Sequence, residues 1–418
     1  MKVDILIIGA GPAGMAAALA AAPSGARIAV LDDNPAAGGQ IWRDGPQAHL
    51  PALAREHRQR LEAQANIELL PATRVVALAG PKALLVEDPE QGRVIEYDKL
   101  ILCSGARELL LPFPGWTLPG VTGAGGLQAL IKGGMPVAGK RIVIAGSGPL
   151  LLASAATAKD DGATVLHIAE QASWSAVAGF AAQLPRWPHK LLQSFGLFHP
   201  GYRASSHVVE ALGDGRLEAV RLSVGGQIRE VACERLACGF GLIPNLQLGQ
   251  ALGCRIDNNA IAVDAWQTTS LDSVYAAGES TGFGGSEKAL VEGAIAGHAA
   301  VGERDAAQHL WPQRQRWQGF ATALNTAFAL RDEVKQLARP DTLICRCEDV
   351  PLSAVADHHG WSQAKMASRC GMGACQGRVC GGAAQALFGW QPTAPRPPFS
   401  PARIETLLEL RGEPHSQA

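Results

Sequence analysis

A chain of 418 residues is long enough for two or three domains and a large core, and 37 basic against 38 acidic residues leave a net charge of −1. That balance, with no long basic run, argues against a nucleic-acid partner. Nine cysteines without an export signal argue against a disulfide framework, and five of them fall between Cys345 and Cys380, a clustering that needs a chemical reason.

The first elements form one unit. Ile5–Ile8 is a short apolar run of the kind a buried parallel strand shows. Gly9, Gly11 and Gly14 then spell GxGxxG, with Pro12 and Ala13 inside it, and Met15–Ala22 is rich in strong helix formers. Arg27–Leu31 reads as a second strand, and Asp32 ends it, eighteen residues after Gly14. Gly9 permits the tight turn, Gly11 lets a pyrophosphate approach the backbone, and Gly14 lets helix and strand pack closely. The helix N-terminus supplies N–H groups to the phosphates, and Asp32, or its neighbour Asp33, can accept from a ribose diol. Ile5–Ala22 is also eighteen residues without a charge, as in a signal peptide or membrane helix. Three Gly and a Pro inside one helix would cost roughly 6 kcal/mol, so the strand–turn–helix reading prevails. It implies a chain that starts at Met1, stays in the cytoplasm and has no transmembrane segment.

Gly38-Gly39-Gln40-Ile41-Trp42-Arg43 follows, where backbone can approach a flat ring or a phosphate. Trp42 and Arg43 either wall a flavin or form a plain turn and a core Trp. Leu53–Ala65 reads as a surface helix; Ile67–Leu70, Arg74–Leu78, Ala83–Glu87 and Val94–Tyr97 read as strands. Leu100–Cys103 is a buried strand ending in Ser104-Gly105, small residues suited to a cofactor. Pro112, Pro114, Pro119 and Gly120 suggest a domain crossing.

At an offset of 137 the opening motif returns, with Gly146 for Gly9 and Gly148 for Gly11. Arg141–Ala145, Leu150–Lys159 and Thr164–Ile168 are its strand, helix and strand, with Glu170 beyond them. The third glycine position holds Leu151, which should push helix from strand and put a nicotinamide dinucleotide, NAD(P), in doubt. Ala172–Arg203 reads as irregular, and Arg216–Val224 with Gln227–Cys233 as a hairpin turning at Gly225-Gly226. Cys233, Cys238 and Cys254 read as buried apolar thiols. Val274–Ala277 is a strand ending in Gly278-Glu279, before a helix over Glu287–Gly302.

In order, GAGPAG, GGQI, SGAR, a second GxG and YAAGE before a helix resemble the two-dinucleotide-domain flavoproteins, the disulfide reductases and their relatives. The resemblance implies an α/β fold with two Rossmann-like domains, the first binding FAD, and a late Gly–acid turn that reaches the ribityl and pyrophosphate. That acid is usually Asp and here is Glu279. No CxxC stands near Gly39 or in Leu127–Met135, so disulfide reduction is not expected.

The last module reads LICRCEDV, then SRCGMGACQGRVCGG. Cys345 and Cys347, with Cys375 and Cys380, bring four thiolates from two short loops, which suits [2Fe–2S] or zinc. Neither pair is the CxxC that zinc commonly takes, and a one-electron relay is useful on a flavoprotein, so the reading favours [2Fe–2S]. Cys370 reads as a neighbour or a plain buried thiol. These phrases resemble the bacterioferritin-associated-ferredoxin-like domain fused into larger subunits of heteromeric flavin dehydrogenases, the opine oxidase, hydrogen cyanide synthase and D-hydroxyproline dehydrogenase group. PFPGWTLPGV at Pro112–Val121 is also similar to that group.

The expected organisation is an FAD domain over 1–115 and 256–335, an NAD(P)-like and degenerate domain over 116–255, a small, mostly helical [2Fe–2S] domain over 340–390, and a Pro-rich tail over 391–418. In the tail, Arg403–Leu410 is either a short docking helix or a disordered end. No His or paired acid stands in a catalytic frame; His189, His199 and His207 are only candidates. The resemblance implies why: a glycine-oxidase-like flavoprotein subunit oxidises the amino or imino acid, and this chain moves electrons. It also allows an FMN at a subunit interface, a small ferredoxin-like subunit, and an acceptor at the inner membrane. The competing function is a self-contained NAD(P)H-dependent reductase that feeds the cluster.

Overall fold

The computed structural model describes residues 1–46, 48–391 and 394–410. The chain divides into two compact units. The first takes Met1–Arg107, Pro244–Ala321 and the described residues from Ala394 onward; the second takes Glu108–Ile243 and the described residues from Thr322 to Gln391.

The first unit is built on a seven-stranded sheet. Lys2–Ile8 lies between Ile28–Leu31 and Gly92–Leu102, parallel to both, and Val274–Ala276 joins the far side of Gly92–Leu102. The runs read separately at 94–97 and 100–103 are one strand. Its first half pairs antiparallel with Ala83–Glu87 and its second half parallel with the opening strand, so the polar Asp98-Lys99 step does not end it. Helices Pro12–Ala21 and Gly285–Ala300 pack face to face through small residues. A Cβ on Gly293 would strike the Ala13 carbonyl, and one on Gly297 the Ala17 carbonyl.

The second unit repeats the parallel arrangement. Arg141–Gly146 lies between Thr164–Glu170 and Arg235–Gly239, flanked by Tyr202–Arg203 and Val121–Gly123. A three-stranded antiparallel sheet stands beside it, with Ala219–Val224 and Gln227–Ala232 joined by Gly225 and Gly226, both at positive φ. The stretch expected to be irregular is largely helical: Trp174–Ala181, capped by the Ser173 hydroxyl, and Pro188–Gly196, with Pro at its first position.

The units divide at other points than the expected 115/116 and 255/256, for a packing reason. Leu109, Leu111, Phe113 and Trp116 are buried in the second unit's core, so the chain crosses before the prolines. Leu246 and Cys254 are buried with Val3 and Leu6 in the first unit's core. Val334 lies in the second unit's core; within that unit, residues 344–384 carry a hydrophobic cluster of their own around Trp361 and Val355, and Val379 and Ala386 pack on the unit's main core. The tail is also anchored. Ile404–Leu408 is a helix whose Leu407 packs on Val76, Ala77 and Leu85, and Thr406 donates to buried Glu87 at 2.6 Å. Residues 392, 393 and 411–418 lie outside the described residues. No helix among the described residues is long and apolar enough to cross a membrane.

Candidate functional site

Three backbone approaches assemble one cradle in the first unit. Gly9 sits at φ +103° with its missing side chain against the Cys103 carbonyl, which brings Ser104 and Gly105 beside the turn. Gly14 is packed on the Gly9 carbonyl and holds helix Pro12–Ala21 to its strand. Gly11 faces Gly39, and a Cβ on Gly11 would meet only the Gly39 Cα, at 3.8 Å. Gly278, at φ +79°, places its missing Cβ 2.9 Å from the Ala13 methyl, so the late turn closes the same cradle.

The side chains divide between holding the loops and facing the cradle. Asp32 is buried and fully engaged: it accepts from the Ala10 N–H at 2.7 Å and from the backbone and side chain of Asn34 at 2.8 and 2.7 Å. Asp33 beside it is exposed. Ser104 donates to the Asn245 carbonyl at 2.7 Å, and so ties a loop instead of offering its hydroxyl. Gln40, exposed, accepts from Arg43 at 2.6 Å. The buried side-chain atoms without a hydrogen-bond partner among the described residues include Nε of Arg43 and Oε2 of Glu279. The other oxygen of Glu279 takes the Gly285 N–H at 2.9 Å, and burial raises this carboxyl although Lys288 pulls against it. Orphaned polar atoms on the loops that carry Gly39 and Gly278 fit a polar, phosphate-bearing cofactor.

Two residues that no local pattern singled out hold the late turn. Glu292 accepts from the Gly278 N–H at 3.1 Å and the Thr281 hydroxyl at 2.8 Å. Buried Lys288 bonds Glu292 at 2.7 Å and the Gly282 carbonyl at 2.9 Å. The available signal was a Lys and a Glu four apart in a helix otherwise rich in Gly and Ala.

In the second unit the turn is built, not broken. Leu151 does not push its helix away: it is fully buried, because Gly239 beneath it has no side chain. Glu170, also fully buried, accepts from Gly148 N–H at 2.7 Å and Ala172 N–H at 2.8 Å. Burial nonetheless pushes its carboxyl up to about 7.

The cysteines form two groups. The sulfurs of buried Cys345, Cys370 and Cys380 all lie within 4.8 Å of one another. Cys370, read as a neighbour of the ligands or a plain buried thiol, is buried and a member of this trio. The loop that carries it folds flat on the Trp361 ring through Gly371 and Gly377, both at positive φ, and this turns Cys370 inward. Cys347, exposed, and Cys375, half-buried, are free thiols that influence each other's protonation. Burial works against a Cys375 thiolate, but the N–H groups of Val379, Gly377 and Arg378 and the Cys347 thiol outweigh it and lower its pKa. Arg346, between the first two cysteines, lies over the Trp116 ring at 5.0 Å, on the wall of an apolar cavity of about 390 Å³. An all-sulfur donor set on two short loops fits an iron–sulfur centre. Cys103, Cys233, Cys238 and Cys254 are buried, with thiols raised by burial.

Residues 3–300 match the family described as pyridine nucleotide-disulphide oxidoreductase. The chain is 31% identical to the HcnB component of hydrogen cyanide synthase of Pseudomonas protegens, over 91% of this chain and 91% of that one. It is 30% identical to one of the subunits of opine oxidase from Rhizobium meliloti, over 99% of this chain and 88% of that one. Among solved structures, L-proline dehydrogenase from P. horikoshii is similar with a TM-score of 0.64 at 17% identity, covering 97% of this chain and 79% of that one. Thioredoxin reductase of T. acidophilum gives 0.55 at 21%, covering 72% of this chain and 98% of that one. The structural likenesses speak for the fold; the family match and the two relatives speak for descent. With its doubled dinucleotide fold, the chain belongs to the pyridine nucleotide-disulphide oxidoreductase family and is a flavoprotein oxidoreductase.

Proposed function

We propose that this chain is the FAD- and [2Fe–2S]-carrying electron-transfer subunit of a heteromeric dehydrogenase for an amino or imino acid of the D-hydroxyproline, opine or glycine type. The observation that carries it is the pairing, in one chain, of an open dinucleotide cradle with a five-cysteine module. Two relatives named as subunits support a partner, which we read as a glycine-oxidase-like flavoprotein that oxidises the substrate. A small ferredoxin-like subunit, an FMN at a subunit interface and an acceptor at the inner membrane belong to the same reading.

Bound FAD would supply two-electron acceptance with single-electron release, and a cluster would carry electrons one at a time. The chain's residues position and tune these groups. The N–H groups at the start of helix Pro12–Ala21, with Gly11, Pro12, Ala13 and Gly14, would face the pyrophosphate, and Gly39 leaves room for it. Asp32 fixes the turn by holding the Ala10 N–H, and exposed Asp33, which takes the Asn34 amide at 3.3 Å, is the acid that would also reach a ribose. The orphan oxygen of Glu279 would accept from a hydroxyl, and Nε of Arg43 would donate to an acceptor. Cys345, Cys347, Cys375 and Cys380 would ligate the two irons; N–H donors around Cys375 favour the thiolate a ligand must supply.

A Cys→Ser series tests the ligand set by iron and acid-labile sulfide content and by low-temperature electron paramagnetic resonance. Cys345→Ser and Cys380→Ser should each lose most of the cluster. Cys347→Ser and Cys375→Ser should do the same, with Cys370→Ser close to wild type. Loss in Cys370→Ser with retention in Cys347→Ser would move the site onto the buried trio. Stoichiometric zinc in place of iron would remove the electron-transfer role.

A further inference from the structure

The second glycine turn has an occupant from its own chain. After helix Trp311–Ala327, residues Phe328–Arg331 run across it. The Phe328 carbonyl accepts from the Ser147 hydroxyl at 2.7 Å. A Cβ on Gly148 would stand 3.7 Å from Cγ of Phe328, so this side chain covers the middle glycine. Phe180 meets the Phe328 ring edge-on, with 5.3 Å between centroids. Fully buried Gln171 donates to the Ala329 carbonyl at 3.1 Å and accepts from the Arg331 N–H at 3.0 Å. The Arg331 guanidinium donates to the Gln171 carbonyl at 3.3 Å.

The hydrogen-bonding partners belong to the turn itself or to the strand end behind it, and Phe180 comes from helix Trp174–Ala181. In a dinucleotide site the pyrophosphate lies over this turn, because the middle glycine has no side chain and the helix N-terminus points there. Here an aromatic residue covers Gly148, and the Ser147 hydroxyl and Gly148 N–H are already engaged. A nucleotide would have to displace the Phe328 side chain and the hydrogen bonds that anchor the segment.

We propose that Phe328–Arg331 is a built-in occupant of the second dinucleotide turn, and that it keeps NADH and NADPH out of a domain otherwise folded to take them. The proposal goes beyond the electron-transfer reading and does not rest on it, since nucleotide binding is read on the polypeptide whatever its flavin or cluster content.

The full-length protein is titrated with NADH and with NADPH by calorimetry. The wild type should show no saturable binding at millimolar nucleotide. The Phe328→Gly, Gln171→Ala double variant, which uncovers Gly148 and releases the segment, should bind at least about tenfold tighter. Saturable micromolar binding by the wild type overturns the proposal. So does a double variant, folded by circular dichroism, that binds no tighter than wild type. Hydrogen exchange supplies a readout that needs no double variant: the Arg331 amide should exchange slowly in the wild type and quickly in Gln171→Ala. Fast exchange of that amide in the wild type overturns the segment's docking.

Discussion

The two glycine turns of this chain share a plan and differ in what faces them. Each follows a buried parallel strand, and each gives a backbone N–H to a buried acid at the end of the next strand: Ala10 to Asp32, and Gly148 to Glu170, both at 2.7 Å. Over Gly11 lies only Gly39, another residue without a side chain; over Gly148 lies Phe328. The conformations differ too. Gly11 has φ −74°, which any residue adopts, whereas Gly148 has φ +87°. Both places keep a strand, a glycine turn and a helix, and the residue set against the turn decides whether it stays open.

The largest expected effect breaks the first turn alone. Gly11→Val leaves the backbone unstrained but fills the space toward Gly39, so the purified protein should lose flavin almost completely while keeping its helical content. Gly148→Val is the mirror experiment. It strains a left-handed position by roughly 1–2 kcal/mol and collides with Phe328, so it should lower the melting temperature and leave flavin content near wild type. Full flavin occupancy in Gly11→Val would end the assignment of the first turn.

The next effect concerns how each turn is held. The first cradle depends on the buried Lys288–Glu292 pair, which binds Gly278 and Gly282. Glu292→Gln removes the buried carboxylate that pairs with Lys288 at 2.7 Å and with Arg314 at 3.7 Å, and should cost about 3–5 kcal/mol. Flavin release during thermal unfolding should come correspondingly earlier. The Lys288→Met, Glu292→Met double variant should recover part of the loss, and equal damage in both would show that the polar contacts to the loop matter more than the charge.

Glu170 gives the second turn a pH dependence of its own. Burial pushes its carboxyl from 4.5 to about 7, so the folded state holds the proton more tightly than the unfolded chain. The stabilisation is fully present below the unfolded value and is lost as pH rises through the folded one. The stability of the second unit against unfolding should therefore fall by roughly 3 kcal/mol across that window. Glu170→Gln should flatten the fall, and an unchanged slope in that variant would assign it to other groups.

The smallest effect lies at the tail. Thr406→Val removes the hydroxyl that donates to buried Glu87 and should cost about 1–2 kcal/mol in denaturant titration. Glu87 keeps Arg74 and Arg403 as partners, so a larger loss would mean that the helix Ile404–Leu408 had come away.

What the sequence determined by itself was local. The two strand–turn–helix units, the small residues at 104–105 and 278, and the two cysteine loops were legible because glycine spacing and apolar runs are properties of neighbouring positions. Strand limits at 67–70 and 83–87 were legible for the same reason. What only the tertiary structure decided were contacts across long separations. Gly293 on Ala13, Glu292 under Gly278, Cys370 beside Cys345, and Phe328 over Gly148 each join parts of the chain that no periodicity links. Leu151 illustrates the limit: alone it read as a clash, and Gly239, nearly ninety residues on, makes the room. Close packing is settled by which surfaces meet, and the residue supplying the missing volume need not stand near in the chain.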